Sequence, residues 1–263
     1  MSLLYAAILG VVQGIAEFLP ISSSGHLVIV GAILSQSQGK TLPEESATMN
    51  VALHCGTLIA ILFVYRSDFW ELRRNFRLML CIVLATIPVG AVGLLFKDEI
   101  ESLFTKPAFA GAALLGTAGL LLASRYLQRP QSETKPPGKG TAVIVGFFQA
   151  IAIIPGISRS GSTIAGGVMC GLSRTEATRF SFLIAVPAIA GATLVKTRDV
   201  IRQPELLQQD VLPIIVGTVI SCIVGVFALR WLIRIVVADK LHWFAFYCAT
   251  VGIATLIWQA LSG

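Results

Sequence analysis

Long apolar runs, punctuated by short charged segments, organise this chain. Stretches free of Asp, Glu, Lys and Arg cover residues 1–16, 18–39, 46–65, 78–96, 107–124, 140–158, 180–195, 211–229 and 241–263. At 1.5 Å per residue, roughly 20 apolar residues cover the hydrocarbon core of a bilayer. On that measure 46–65, 78–96, 107–124, 180–195, 211–229 and 241–261 predict six crossing helices. The segments 1–39 and 140–167 differ, because each holds an apolar helical run, a break rich in Pro, Gly and Ser, and a second short apolar run. Polar, non-helical backbone at membrane depth persists only where protein or a water-filled cavity surrounds it, so each segment predicts a re-entrant helical hairpin.

The two hairpin segments are copies of one another. At an offset of 136 residues, AAILGVVQGIAEFLPISSSGHLVIVG (6–31) lies over AVIVGFFQAIAIIPGISRSGSTIAGG (142–167) with 11 identities in 26 positions. Apolar bias alone would not repeat the S-x-S-G and the Gln. Three predicted crossings separate the hairpins, and an odd number puts them on opposite faces, which makes the repeat inverted. The predicted architecture is therefore an all-α polytopic membrane protein, six transmembrane helices plus two re-entrant hairpins. Its first repeat spans 1–128, a linker 129–140 and the second repeat 141–263, together one membrane domain.

Composition agrees with this pattern. Charged residues make up 13% and hydrophobic residues 55% of the chain, where a soluble domain carries about a quarter charged. The N-terminus lacks a basic region followed by a small-residue cleavage site, so no removable signal peptide is expected. Five cysteines, Cys55, Cys81, Cys170, Cys222 and Cys248, all lie in apolar runs and read as free, buried thiols. The net charge of +6 comes from basic residues dispersed among loops, which argues for membrane topology and against nucleic acid. The face of the second hairpin collects 13 basic residues and the opposite face 6, with Arg159 inside the second break. The positive-inside rule then makes the first face cytoplasmic and both termini extracytoplasmic. The segment 66–77 mixes Phe69, Trp70 and Phe76 with four arginines and predicts a cytoplasmic interfacial helix.

The breaks also concentrate the polar chemistry. Gln13 and Glu17, spaced i and i+4, share a helix face, and Pro20 ends that helix before Ser22, Ser23, Ser24, Gly25 and His26. A carboxylate at membrane depth needs a partner or a function. The second break presents Arg159 among Ser158, Ser160, Ser162 and Thr163 at the start of a helix, a combination suited to a phosphate group. The structural alternatives are a Glu17 that pairs with His26, and an Arg159 that neutralises Glu17. A hard divalent ion, Mg²⁺ or Ca²⁺, is expected on Glu17, the Gln13 carbonyl and phosphate oxygens. His26, His54 and His242 are far apart in sequence and show no zinc-ligand spacing. His54 reads as a hydrogen-bonded core histidine and His242, beside Trp243, as interfacial. Gly10-x-x-x-Gly14 and Gly167-x-x-x-Gly171 predict close helix packing and are the sequence argument for a homodimer.

The motifs QGIAEFLPISSSGH (13–26), LHCGT (53–57), the TIP…GLLF run (86–96), PGISRSGST (155–163) and FSFLIAVPAIAGA (180–192) resemble the undecaprenyl-pyrophosphate phosphatases, also called bacitracin-resistance proteins, across nearly the whole chain. The resemblance implies hydrolysis of a polyprenyl pyrophosphate lipid to its monophosphate. That reaction recycles the carrier for peptidoglycan synthesis in the bacterial cytoplasmic membrane, with the site open to the extracytoplasmic side. Carried over by position, the acidic motif falls on Gln13 and Glu17, the serine–histidine motif on Ser23 and His26, and the phosphate-binding motif on Ser158, Arg159 and Thr163. Ser22, Ser24 and Ser160 are added as phosphate donors from their place in the breaks. Many members carry Glu where this chain has Gln13, which leaves Glu17 as the one carboxylate. The attacking group is Ser23 with His26 as base, His26 itself, or water. The rival reading is a polyprenyl-phosphate transporter or flippase, which needs no nucleophile.

Overall fold

A computed structural model describes residues 2–38, 47–127, 136–201 and 211–262; of the linker at 129–140, residues 129–135 lie outside them. Among the described residues the chain forms twelve helices and no sheet. In order they are α1 (Leu3–Ala16), α2 (Ser23–Gln38), α3 (Ala47–Val64), α4 (Arg66–Leu72), α5 (Phe76–Leu95), α6 (Lys97–Leu103), α7 (Pro107–Tyr126), α8 (Lys139–Ile151), α9 (Arg159–Met169), α10 (Arg174–Ile201), α11 (Val211–Val237) and α12 (Trp243–Ser262). Local chemistry sets many of these boundaries. The Ser2 hydroxyl accepts from the Tyr5 amide at the start of α1, Asn75 Oδ1 accepts from the Leu78 amide at the start of α5, and Pro107 takes the first position of α7.

Five helices, α5, α7, α10, α11 and α12, are each long and apolar enough to cross a membrane. A sixth span forms if Thr48–Val64 is joined to Arg66–Leu72, which turns away from it by 74°. α3 matches the 46–65 helix expected from sequence, and the 74° bend falls where the expected interfacial segment at 66–77 begins. The cause of the bend is tertiary: Tyr65, buried there, stacks on Phe182 at 6.0 Å, and Asp68 and Glu71 on α4 both reach Arg179 on α10. Glu176 completes that cluster at 3.5 Å. With Arg179 paired in this way, α10 begins at Arg174, well before the charge-free run at 180. The predicted interfacial segment is helical only over Arg66–Leu72, after which Asn75 starts α5. Trp70 is exposed there and carries the Arg73 guanidinium 4.2 Å above its ring.

The runs on either side of the breaks stay short. α1 has 14 residues and α9 has 11, about 21 Å and 17 Å of helix, too little to span the hydrocarbon core. α1 packs against α11 and α3, α8 against α5, and α9 against α7, α8 and α10, while α2 runs along α7. Gly10 and Gly14 face the carbonyls of Gly217 and Ser221 on α11. Gly167 faces Ala177, and Gly171, at φ +90°, forms the turn after α9. Both glycine pairs therefore serve contacts within one chain. The main core, with Phe18, Leu114, Ile164, Phe182 and Leu229 fully buried, surrounds the two breaks. Large apolar side chains such as Leu94, Phe227, Phe246 and Ile257 face outward, as a lipid-facing surface requires.

Candidate functional site

The two breaks meet. α1 ends at Ala16, and its last turn carries Glu17 as C-cap, while Pro20 supplies no amide for continuation. Ser22 then adopts a left-handed backbone, φ +63°, that turns the chain into α2. Its hydroxyl accepts from the Gly25 amide at 3.3 Å and, across the molecule, from the Gly156 amide at 3.1 Å. In the second break Ser158 repeats the local half of this pattern, its hydroxyl accepting from the Gly161 amide at 3.1 Å as N-cap of α9. Ser24 lies 3.3 Å from Ser22, and Ser160 3.3 Å from Ser158, so the serine pairs sit alike in both copies. A Cβ on Gly25 would stand 2.7 Å from the Gly156 Cα, which shows how closely the tips touch. Thr117 on α7 holds the second tip in place, donating to the Gly156 carbonyl at 2.7 Å and accepting from the Ser158 amide at 3.0 Å.

At this junction an ion pair crosses from one hairpin to the other. Arg159 donates through one terminal nitrogen to Glu17 Oε1 at 2.6 Å, with the two side chains 16% and 10% exposed. Gln13 donates its amide nitrogen to Glu17 Oε2 at 3.2 Å, the i, i+4 contact its spacing predicts. The other terminal nitrogen of Arg159 is buried and makes no hydrogen bond among the described residues. Phe182 lies under the guanidinium at 5.8 Å. Thr163 is turned inward, bonded to the Arg159 carbonyl at 2.9 Å and to the Ser181 hydroxyl at 2.5 Å, so it fixes the backbone that carries the arginine.

His26 is not joined to Glu17 by a hydrogen bond or ion pair among the described residues. Its Nδ1 contacts the Ser22 carbonyl at 2.9 Å and its Nε2 the Tyr247 hydroxyl at 2.8 Å, with the two rings stacked 5.6 Å apart. A carbonyl only accepts, so Nδ1 carries the proton and Nε2 takes the hydroxyl hydrogen of Tyr247. Ser23, half-buried on the first turn of α2, makes no hydrogen bond among the described residues and has its hydroxyl to offer. The histidine beside Glu17 is instead His54 on α3, with Nε2 3.9 Å from Oε2.

The motifs now have a shape, and comparison with known proteins gives it a lineage. A family model described as bacitracin resistance protein BacA matches residues 6–254. The chain belongs to that family. Among its relatives, a Rhodopirellula baltica protein named undecaprenyl-diphosphatase is 41% identical over 97% of this chain and 97% of its own length. Proteins of the same name from Halothermothrix orenii and Alkaliphilus metalliredigens are 40% and 38% identical, over 95% and 97% of this chain.

Whether this BacA member suits a divalent ion turns on its donors. Among the described residues no three of His, Cys, Asp and Glu cluster as a ligand set. Glu17 is the one carboxylate at the junction, and Arg159 already holds one of its oxygens. These residues do not form a closed cage. They do fit an ion bound by Glu17 and Gln13 on one side and by phosphate oxygens on the other, the arrangement hard cations adopt on phosphate substrates. Sequence reasoning missed Thr117, Ser181 and Tyr247. Thr117 and Ser181 are single hydroxyls inside apolar runs, and Tyr247 lies 221 positions from the histidine it touches.

Proposed function

We propose that this protein is an integral membrane phosphatase that hydrolyses undecaprenyl pyrophosphate to undecaprenyl phosphate and inorganic phosphate. The observation that carries the reading is the Glu17–Arg159 pair at 2.6 Å, a buried acid–base junction between two broken helices, in a chain whose relatives bear that activity in their names. An arginine fork beside a carboxylate binds the diphosphate, with the unbonded terminal nitrogen of Arg159 reaching a phosphate oxygen while the other stays on Glu17. Charge gathers on the terminal phosphate and on the bridging oxygen as their bond breaks, and fixed donors in a low-dielectric site stabilise it. A divalent ion on Glu17 and the Gln13 carbonyl supplies further neutralisation of that charge when bound.

The attacking group forms the new bond to the terminal phosphorus as the bond to the bridging oxygen breaks, and the lipid monophosphate leaves. Water attack gives inorganic phosphate directly, whereas a phospho-serine or phospho-histidine is cleaved by water in a second step that releases phosphate and restores the side chain. Ser23, water and His26 Nε2 are each chemically competent, and the first two lose their proton to a base. His26 Nε2 is the basic nitrogen of its ring, and the Tyr247 hydroxyl must yield it before it can act. Trapping a labelled phospho-enzyme in wild type, Ser23→Ala and His26→Ala separates the three.

The repeats at 1–128 and 141–263 form an inverted pair. Support comes from the exchange in packing, α1 on α11 and α8 on α5, and from the matched serine geometry. The charge asymmetry supports extracytoplasmic termini in the bacterial cytoplasmic membrane, and the family resemblance implies a site open to that side. The deciding experiment is phosphate release from a polyprenyl pyrophosphate by purified protein in detergent, with and without chelator. Arg159→Ala is expected to abolish release. Lipid transport without hydrolysis would overturn the reading.

A further inference from the structure

We infer that His54 is a ligand, with Glu17 and Gln13, of the divalent ion at this junction, so that the site is a mixed nitrogen–oxygen one that accepts a first-row transition ion. The inference deepens the phosphatase reading and rests on it for the anion that completes the coordination. His54 Nδ1 lies 2.9 Å from the Asn50 carbonyl one turn earlier on α3. That carbonyl fixes the proton on Nδ1 and leaves the Nε2 lone pair pointing away from the helix. Histidines that bind metal donate their other ring N–H in this way, to a backbone carbonyl or carboxylate that orients the ring.

Nε2 stands 3.9 Å from Glu17 Oε2. A direct N–H···O bond closes to about 2.9 Å, so this pair is not one. Two metal bonds of about 2.1 Å each span up to about 4.2 Å, and an ion between the atoms reaches both. Gln13 sits on the same carboxylate oxygen at 3.2 Å, and rotation of its amide by half a turn exchanges nitrogen for oxygen at that position. Glu17 Oε1 remains with Arg159, which keeps the guanidinium on the far oxygen. The His54 side chain is 28% exposed, so the nitrogen can be reached. His26 offers no equivalent, because Tyr247 covers its Nε2 at 2.8 Å. Mg²⁺ and Ca²⁺ favour oxygen ligands, whereas imidazole favours transition ions, and the one nitrogen shifts selectivity toward the latter.

The test uses full-length protein purified through a histidine-free tag, loaded with Mn²⁺ and non-hydrolysable methylenediphosphonate, and read by electron spin-echo modulation. Wild type is expected to show ¹⁴N modulation from a bound imidazole. The His26→Gln/His242→Gln double variant, in which His54 is the remaining histidine, is expected to keep it. His54→Gln is expected to lose it, with Mn²⁺ affinity down about 10–100-fold. Absence of Mn²⁺ binding, absence of modulation in wild type or the double variant, or its survival in a folded His54→Gln protein overturns the inference. Phosphate release is scored separately. An active enzyme without the nitrogen signal defeats only the His54 ligand, and a nitrogen-bound ion in a protein that releases no phosphate defeats only the phosphatase reading.

Discussion

Glu17 and Arg159 hold each other at 2.6 Å with little solvent around them, so each charge depends on the other for its stability as well as for its chemistry. Removing one partner of a buried pair leaves an uncompensated charge and costs about 3–5 kcal/mol. Arg159→Ala should therefore lower the thermal midpoint in detergent as well as abolish turnover. Adding Glu17→Gln to it should restore most of the midpoint and none of the activity, whereas an equal deficit in single and double variants would show that the pair carries no structural load. The His26–Tyr247 contact makes a subtler residue-level prediction. Tyr247→Phe retains the stacked ring and removes only the hydroxyl. Freeing Nε2 from a hydrogen bond worth about 1 kcal/mol is expected to raise kcat roughly fivefold with KM unchanged. The His26→Ala variant should be indifferent to the added Tyr247→Phe. A loss of activity in Tyr247→Phe, or an effect that persists in His26→Ala, would place the tyrosine in a separate role.

The two broken hairpins show which elements a sequence exposes and which it hides. Pro20, and Pro155 with Gly156, interrupt apolar helices visibly, and Gln13 and Glu17 share a face by spacing alone, so the breaks and half of the ion pair were legible. Arg159 as the partner of Glu17 was open beside His26, because the choice depends on how two tips 142 residues apart are set against each other. That the span ending at 65 gives way to a separate interfacial segment was legible in its arginines and aromatics, but the 74° angle of the bend was not. No proline or glycine marks Tyr65, and its causes, the Phe182 ring and the Arg179 cluster, belong to α10. His54 was read as a core histidine and does bond the Asn50 carbonyl, but its facing of Glu17 follows from the packing of α3 and α1. The contact between tips is testable at this scale. Gly25 meets Gly156 at a distance no Cβ tolerates, and Gly156 has φ +101°. Gly25→Ala should part the tips, break the Ser22–Gly156 bond and cost about 1–3 kcal/mol. Activity is expected to fall further than in Gly119→Ala, which meets open space on α7. Equal activity in the two variants would mean that the tips need not touch for catalysis.

At the scale of the whole molecule, span count and charge together predict an orientation. With α3 joined to α4 as one of six crossings, the number is even and both termini share one side. Hairpins that return to the side they enter would not change this parity. Each is shorter than a full crossing on either arm of its break, as α1 and α9 show. The basic residues divide 13 to 6 between the two faces, and the richer face includes Arg66, Arg73, Arg74 and Arg77 around α4. Short basic loops are retained in the cytoplasm, so α4 and the start of α8 are expected inside and both termini outside. The five native cysteines are free thiols, so topology labelling starts from a cysteine-less background. A single cysteine at Ser2 or Ser262 should then react with a membrane-impermeant maleimide in intact cells, and one at Gly138 only after permeabilisation. Labelling of Gly138 in intact cells would reverse the orientation. Labelling of Ser2 and Ser262 from different sides would remove the bent α3–α4 pair from the count of crossings.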